Sequence, residues 1–335
     1  MKKTIQFLWS FCVPLFLAFL CFKGITYTDD FEGYTITYNG ERSGDYAYAM
    51  LENFGKWLKL DFEQFYAIPI FIQLFLYAIV FRLYKVNIFV SMFFLILLNY
   101  VAMANQLRYF IAFPLFLISV YYWCIREKKV FAVILAILSF LFHSGVIALM
   151  IFFPLYEYIK RKHLSKKNIL SIYFVLGVLI LIIFSFLGQF MFSVDEKYST
   201  YTEKEGASLA GVFFIILYAV VCLALLYWKF PDFKKQNNNE LTFFYSLSFF
   251  PLIFIIATFS RYQIISSRYV NTFFAIWLIV ILLFSRKRYI KNGNLFFALF
   301  VSVAFVVNYL LPIYLFGYNE TSGLYKALLI WASKG

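Results

Sequence analysis

Three ionisable residues, Arg108, His143 and Arg268, stand deep in apolar sequence, where hydrocarbon surroundings would make each of them expensive. Such a residue must find a partner or a wet cavity, so it marks a functional site by default. A guanidinium is always charged and grips phosphate oxygens bidentately. It can therefore hold a diphosphate and stabilise it as it departs, without a metal. An imidazole gives or takes a proton near neutral pH. Two arginines and a histidine at the mouth of one cavity would suit an anion, and a diphosphate in particular. The competing reading is that the arginines snorkel from helix ends to lipid headgroups and that His143 is a satisfied turn residue.

The surroundings of these residues are those of a membrane protein. Of the 335 residues 63% are hydrophobic, 24% aromatic and 14% charged, and mean hydropathy is +0.79, far more apolar than a soluble domain. The formal charge of +13 comes from Lys and Arg in short loops between apolar runs, where they set topology, so no nucleic-acid partner is expected. Cys12, Cys21, Cys124 and Cys222 form no CxxC and have no metal-ligand spacing, which leaves them packing roles. The start, MKKTIQFLWSFCVPLFLAFLCF, predicts an uncleaved first span with its N-terminus in the cytoplasm. Further apolar runs cover 65–82, 86–104, 107–125, 130–158, 168–191, 209–228, 241–259, 268–284 and 294–312, each near or above the length of a spanning helix. The expected fold is one all-α polytopic membrane domain, 1–335, with about nine spanning helices and one exception to simple crossing.

That exception is 130–158, which has a basic cluster at each end: Arg126, Lys128 and Lys129 before it, and Lys160, Arg161 and Lys162 after it. A single crossing would put one cluster on the wrong side and invert every later loop. A re-entrant helical hairpin turning at Phe142-His143-Ser144-Gly145 keeps all basic loops cytoplasmic. The outward parts are then the acidic loop 23–64, the connector at Asn105–Arg108, the hairpin tip, the loop 192–208, the loop 260–268 and the tail 313–335. Within the tail, Leu324–Trp331 would make a short interfacial helix. This topology gathers Arg108, His143 and Arg268 on the outer side.

Asn105-Gln106-Leu107-Arg108-Tyr109-Phe110-Ile111-Ala112, followed by a basic break and Leu138-Ser139-Phe140-Leu141-Phe142-His143-Ser144, resembles the signature region of the EpsG family of Wzy-like polysaccharide polymerases. Ser266-Ser267-Arg268-Tyr269 is similar to the family's later arginine, and Gly44-Asp45-Tyr46-Ala47-Tyr48 to a glycine-aspartate stretch in its first outer loop. Tyr109 stands where the family usually has Gln, and Gly145 where a second small polar residue is expected. The resemblance implies a bacterial multi-pass enzyme of the cytoplasmic membrane with an outward-facing site and no cofactor. Its substrates would be oligosaccharide repeats on polyprenyl diphosphate. Its neighbours in the pathway would be a flippase and a chain-length regulator. On that reading Arg108 and Arg268 hold the diphosphate, with Arg42 and Arg261 as second choices and Asn105, Gln106 and Tyr48 at the substrate. Either Asp45 or His143 activates the acceptor hydroxyl.

Two rivals use similar chemistry. A flippase of lipid-linked sugars would show bases at mid-membrane depth and often inverted repeats. A ligase would move finished glycan from the same donor. An acyltransferase would need an acidic partner for His143, and none lies near it in sequence. Asp29-Asp30-Phe31-Glu32 could hold a divalent cation, but an acidic run in an outer loop is usually solvated; no metal is expected. Tyr38, Tyr46, Tyr48, Trp57, Tyr198 and Tyr201 are the outer-loop aromatics that could stack on sugar, and Pro114 and Pro251 could kink helices.

Overall fold

The computed structural model describes residues 8–22, 30–40, 45–193, 209–229, 239–260, 269, 271–286 and 293–305, and every regular element among them is a helix. Among the described residues four helical stretches, at 62–83, 107–124, 166–186 and 239–260, are long and apolar enough to cross a membrane, and shorter apolar helices accompany them. The chain is a helical membrane protein. It divides into two units, one running to Phe153 and the other from Pro154 to Gly317.

In the first unit α1 (Val13–Cys21), entered through a π turn at Leu8–Cys12, packs its Phe19 against Phe71 of α4 (Phe62–Leu83). The polar stretch between them is more than connecting loop, since it carries α2 (Phe31–Asn39) and α3 (Tyr46–Trp57). Helix α3 turns Tyr48, Glu52 and Gly55 inward, the spacing of one helical face. Gly55 lies so close to α4 that a Cβ there would overlap the Phe65 ring and stand 2.9 Å from the Tyr38 hydroxyl. Gly55→Ala is therefore expected to destabilise the unit by about 1–3 kcal/mol through overpacking and to loosen Asp45 at the head of α3. A lowered midpoint in detergent thermal-aggregation assays would register the change.

Helix α4 starts at Phe62 because Asp61 caps it. The Asp61 carboxylate accepts from the Gln64 N–H at 2.8 Å, and Gln64 Oε1 accepts from the Asp61 N–H at 3.3 Å. At its other end Lys85 takes a left-handed φ of 58°, with its N–H on Arg82 O at 3.0 Å and the Val86 N–H on Phe81 O at 2.9 Å. This is the closing motif in which Gly is the usual residue. Helix α5 (Ile88–Asn105) ends in a single-residue break at Gln106, and α6 (Leu107–Cys124) begins at once. Two carbonyls orphaned at the end of α5 are satisfied from α4, Met103 O by Gln73 Nε2 at 3.1 Å and Ala104 O by the Tyr66 hydroxyl at 2.8 Å. These bonds fix the break from which Arg108 projects. Helix α6 is the centre of the unit, buried from Tyr109 to Tyr121, and Pro114 sits within it without ending it.

A tight turn leads to α7 (Lys129–Phe142), which lies antiparallel on α6. Beyond His143 the chain continues as a 3₁₀ helix (Ser144–Ile151) into α8 (Phe152–Lys162). Fourteen α residues span about 21 Å, and eight 3₁₀ residues about 16 Å. The chain thus nearly retraces its path. The Phe153 ring lies 5.1 Å from Trp123, and Lys129 Nζ lies 5.1 Å from that same indole. Both ends of this hairpin sit at one end of α6, and its turn sits at the other.

The second unit holds α9 (Lys166–Ser193), α10 (Leu209–Lys229), α11 (Asn239–Phe249), α12 (Pro251–Ala257), α13 (Asn271–Arg286) and α14 (Gly293–Phe305), with α9, α10 and α13 packed on a buried α11–α12 pair. Pro251, at the first turn of α12, begins a new helix after a turn at Phe250, because it cannot donate into the preceding one. Gly177 of α9 lets Ile256 and the Ile253 backbone approach closely, and Trp277 Nε1 donates to Ser248 O at 3.1 Å.

Candidate active site

Arg108 meets His143 because two serines set the register of α6 on α7. Ser119 Oγ donates to Ala132 O at 2.9 Å, and Ser139 Oγ donates to Ala112 O at 2.7 Å. The two ties are seven residues apart on each helix, close to two full turns, so both fall on one face. One further turn in the same direction brings Arg108 opposite His143. There α7 ends, since His143 is extended (φ −158°, ψ 113°) with its own N–H on Ser139 O.

Asp45 closes the site from the head of α3, which packs on α7. Its Oδ2 accepts from Arg108 Nη1 at 2.9 Å and lies 3.3 Å from His143 Nδ1, while Oδ1 accepts from the Ser144 N–H at 3.2 Å. Asp45 is the residue before the first turn of α3, where an aspartate ordinarily caps its own helix. Its side chain makes no cap bond, unlike Asp61 at the head of α4. Forgoing a cap costs about 1 kcal/mol, and the carboxylate is spent on the Arg108–His143 pair instead. The Asp45 and His143 side chains are 1% and 4% exposed, whereas that of Arg108 keeps 24%. Of the three, the guanidinium keeps the most exposed surface.

Aromatic rings frame this triad. Arg108 lies over Tyr34 at 5.5 Å and donates to its hydroxyl, and it lies 6.0 Å from the Tyr48 ring. Tyr109 meets the His143 ring edge to face at 5.4 Å. Tyr48 is wholly buried, so in this conformation it backs the guanidinium and presents no face to a sugar. Burial holds its hydroxyl well above the ordinary phenol pKa, which keeps it neutral. Tyr38 is likewise committed, stacked on Phe65 at 4.7 Å with its hydroxyl on Leu60 O. Tyr46 and Trp57 are exposed. Asn105 is the last residue of α5, and Gln106 forms the break before α6. Arg42, Arg261, Arg268, Asp29, Tyr198 and Tyr201 lie outside the described residues. Among the described residues no group of His, Cys, Asp or Glu is arranged to hold a metal ion.

Sequence reasoning missed Tyr34 and the Ser144 N–H. No acid lies near His143 in the sequence, and Asp45 supplies one from 98 positions away. One local sign was present: Asp61 is followed three residues on by Gln64, completing a capping box, whereas Asp45 is followed by Tyr48. A carboxylate bound to Nδ1 holds the imidazole in the tautomer whose Nε2 accepts a proton. A guanidinium held beside it can bind an anion. The site can therefore deprotonate a hydroxyl next to a bound phosphate.

The family model described as EpsG family matches residues 6–320, so the chain belongs to that family of Wzy-like polymerases. No curated protein and no solved structure matches it.

Proposed function

We propose that this EpsG family member polymerises oligosaccharide repeat units carried on polyprenyl diphosphate, building an O-antigen, capsule or exopolysaccharide at the outer face of the bacterial cytoplasmic membrane. The observation that carries the reading is the Asp45–Arg108–His143 triad. His143 Nε2 takes the proton of the acceptor hydroxyl on an incoming lipid-linked unit. The resulting oxygen attacks the anomeric carbon of the growing chain, and the bond from that carbon to the lipid diphosphate breaks. Arg108 stabilises the leaving diphosphate, joined by Arg268 and, as second choices, Arg42 and Arg261. Asp45 orients the base and does not itself act as one, since its Oδ2 is engaged by Arg108 and His143 and its Oδ1 by the Ser144 N–H. No metal is needed, because the positive charge comes from guanidinium groups. In this topology nine helices span, the N-terminus is cytoplasmic, and the 130–158 hairpin enters and leaves from the cytoplasm with its tip at the site.

The test is reconstitution in liposomes with a lipid-linked repeat unit, followed by separation of products by length. A ladder that survives EDTA is expected, and Arg108→Ala should slow its formation by about 10²- to 10³-fold, as removal of one donor to a developing anion does. Transfer of single units to another acceptor with no ladder would point to a ligase. Units crossing the bilayer unjoined would point to a transporter.

A further inference from the structure

At the ends of α4 and α6 remote from Arg108, three cations converge on one cavity of about 390 Å³. Arg82 comes from the last turn of α4, Lys85 from the turn after it, and Arg126 from the turn after α6; none of the lining residues is acidic. All three are exposed at the surface, where a headgroup can reach them. Here the Arg82 guanidinium lies 5.8 Å from the Phe11 ring and that of Arg126 lies 5.8 Å from the Tyr121 ring, both rings being cavity wall. The left-handed closure at Lys85 fixes the backbone of the third cation. The rest of the wall is apolar. Phe75 lines it, and the half-exposed rings of Phe75 and Phe71 stack at 6.1 Å, continuing an apolar path along α4 away from the charges.

We propose that this cavity binds the phosphate headgroup of an anionic phospholipid, with an acyl chain lying along Phe75 and Phe71. Arginines grip phosphate oxygens bidentately and lysine adds a point charge. A basic pocket between spanning helices is the setting in which anionic headgroups are held. A free phosphate would use the three cations and gain nothing from the apolar path, and the site is separate from the triad in both position and residues.

The experiment is native mass spectrometry and thermal unfolding of the purified full chain in detergent, titrated in turn with phosphatidylglycerol, phosphatidylcholine and inorganic phosphate. Phosphatidylglycerol should be retained and should raise the unfolding midpoint, while phosphatidylcholine and inorganic phosphate do neither. Arg82→Gln/Arg126→Gln should lower phosphatidylglycerol retention by at least about tenfold, since the loss removes both bidentate groups. If that double variant fails to express, Lys85→Gln must still weaken retention. Equal retention by these variants overturns the proposal, as does equal stabilisation by phosphatidylcholine. A midpoint raised as much by millimolar phosphate alone overturns the lipid and leaves a soluble phosphate site.

Discussion

Asp45→Asn should slow polymerisation by about 10³- to 10⁴-fold, the scale lost when a carboxylate that orients an imidazole base becomes an amide, with the protein still present in the membrane. The substitution keeps size and shape but cannot keep the hydrogen bonds. Oδ1 must accept from the Ser144 N–H, so the amide nitrogen falls where Arg108 Nη1 and His143 Nδ1 now meet Oδ2. There it faces a guanidinium donor, and it forces His143 to accept at Nδ1 and carry its proton on Nε2. That tautomer has no lone pair for the acceptor hydroxyl. Flipping the amide instead leaves the Ser144 N–H without an acceptor. Removing one partner of a fully buried ion pair costs about 3–5 kcal/mol, but Arg108 keeps part of its surface in solvent and loses less. The measurement is the initial rate of ladder formation per unit of membrane protein. A rate within tenfold of the parent would remove Asp45 from the mechanism.

The membrane class was legible in composition, and Arg108 and His143 stand out because charge inside apolar sequence is conspicuous; Asp45 was named as well, but only through the resemblance of its glycine-aspartate stretch. The pairing of His143 with Asp45 was not legible, since contact across 98 positions depends on how α3 packs on α7 and leaves no periodic trace. For the same reason the missing sequence-local acid could not argue against acyl-transfer chemistry; family membership carries that distinction. The two serine ties could be read as polar residues in apolar helices, but their register could not, because it depends on the length of the turn at 125–128. Tyr48 was placed among the loop aromatics because 23–64 looked like loop. Once α3 is recognised, the spacing of Tyr48, Glu52 and Gly55 marks an inward face. The return arm of the hairpin begins as a 3₁₀ stretch, which covers the distance with fewer residues than an α-helix and leaves no mark in the hydropathy pattern. Arg82, Lys85 and Arg126 looked like topology charges because sequence says nothing of where their side chains point.

His143→Asn separates the two candidate bases that the sequence left open. Asparagine's amide nitrogen can take the place of Nδ1 and keep the hydrogen bond to Asp45 Oδ2, so the hairpin tip and the Ser144 N–H contact should persist. What it cannot supply is a second nitrogen in the position of Nε2. If His143 is the base, the turnover rate should fall by about 10²- to 10⁴-fold, the usual contribution of a positioned proton acceptor, with KM for the lipid-linked unit nearly unchanged because Arg108 is undisturbed. The variant should also lose the part of the pH–rate profile that reports imidazole ionisation, with residual activity rising toward alkaline pH as hydroxide substitutes for the missing base. If Asp45 is the base, His143→Asn should retain most of the turnover and the acidic limb of the profile should remain. A variant that loses activity only through a raised KM would assign His143 to substrate binding, and the proton would then have to leave by another group.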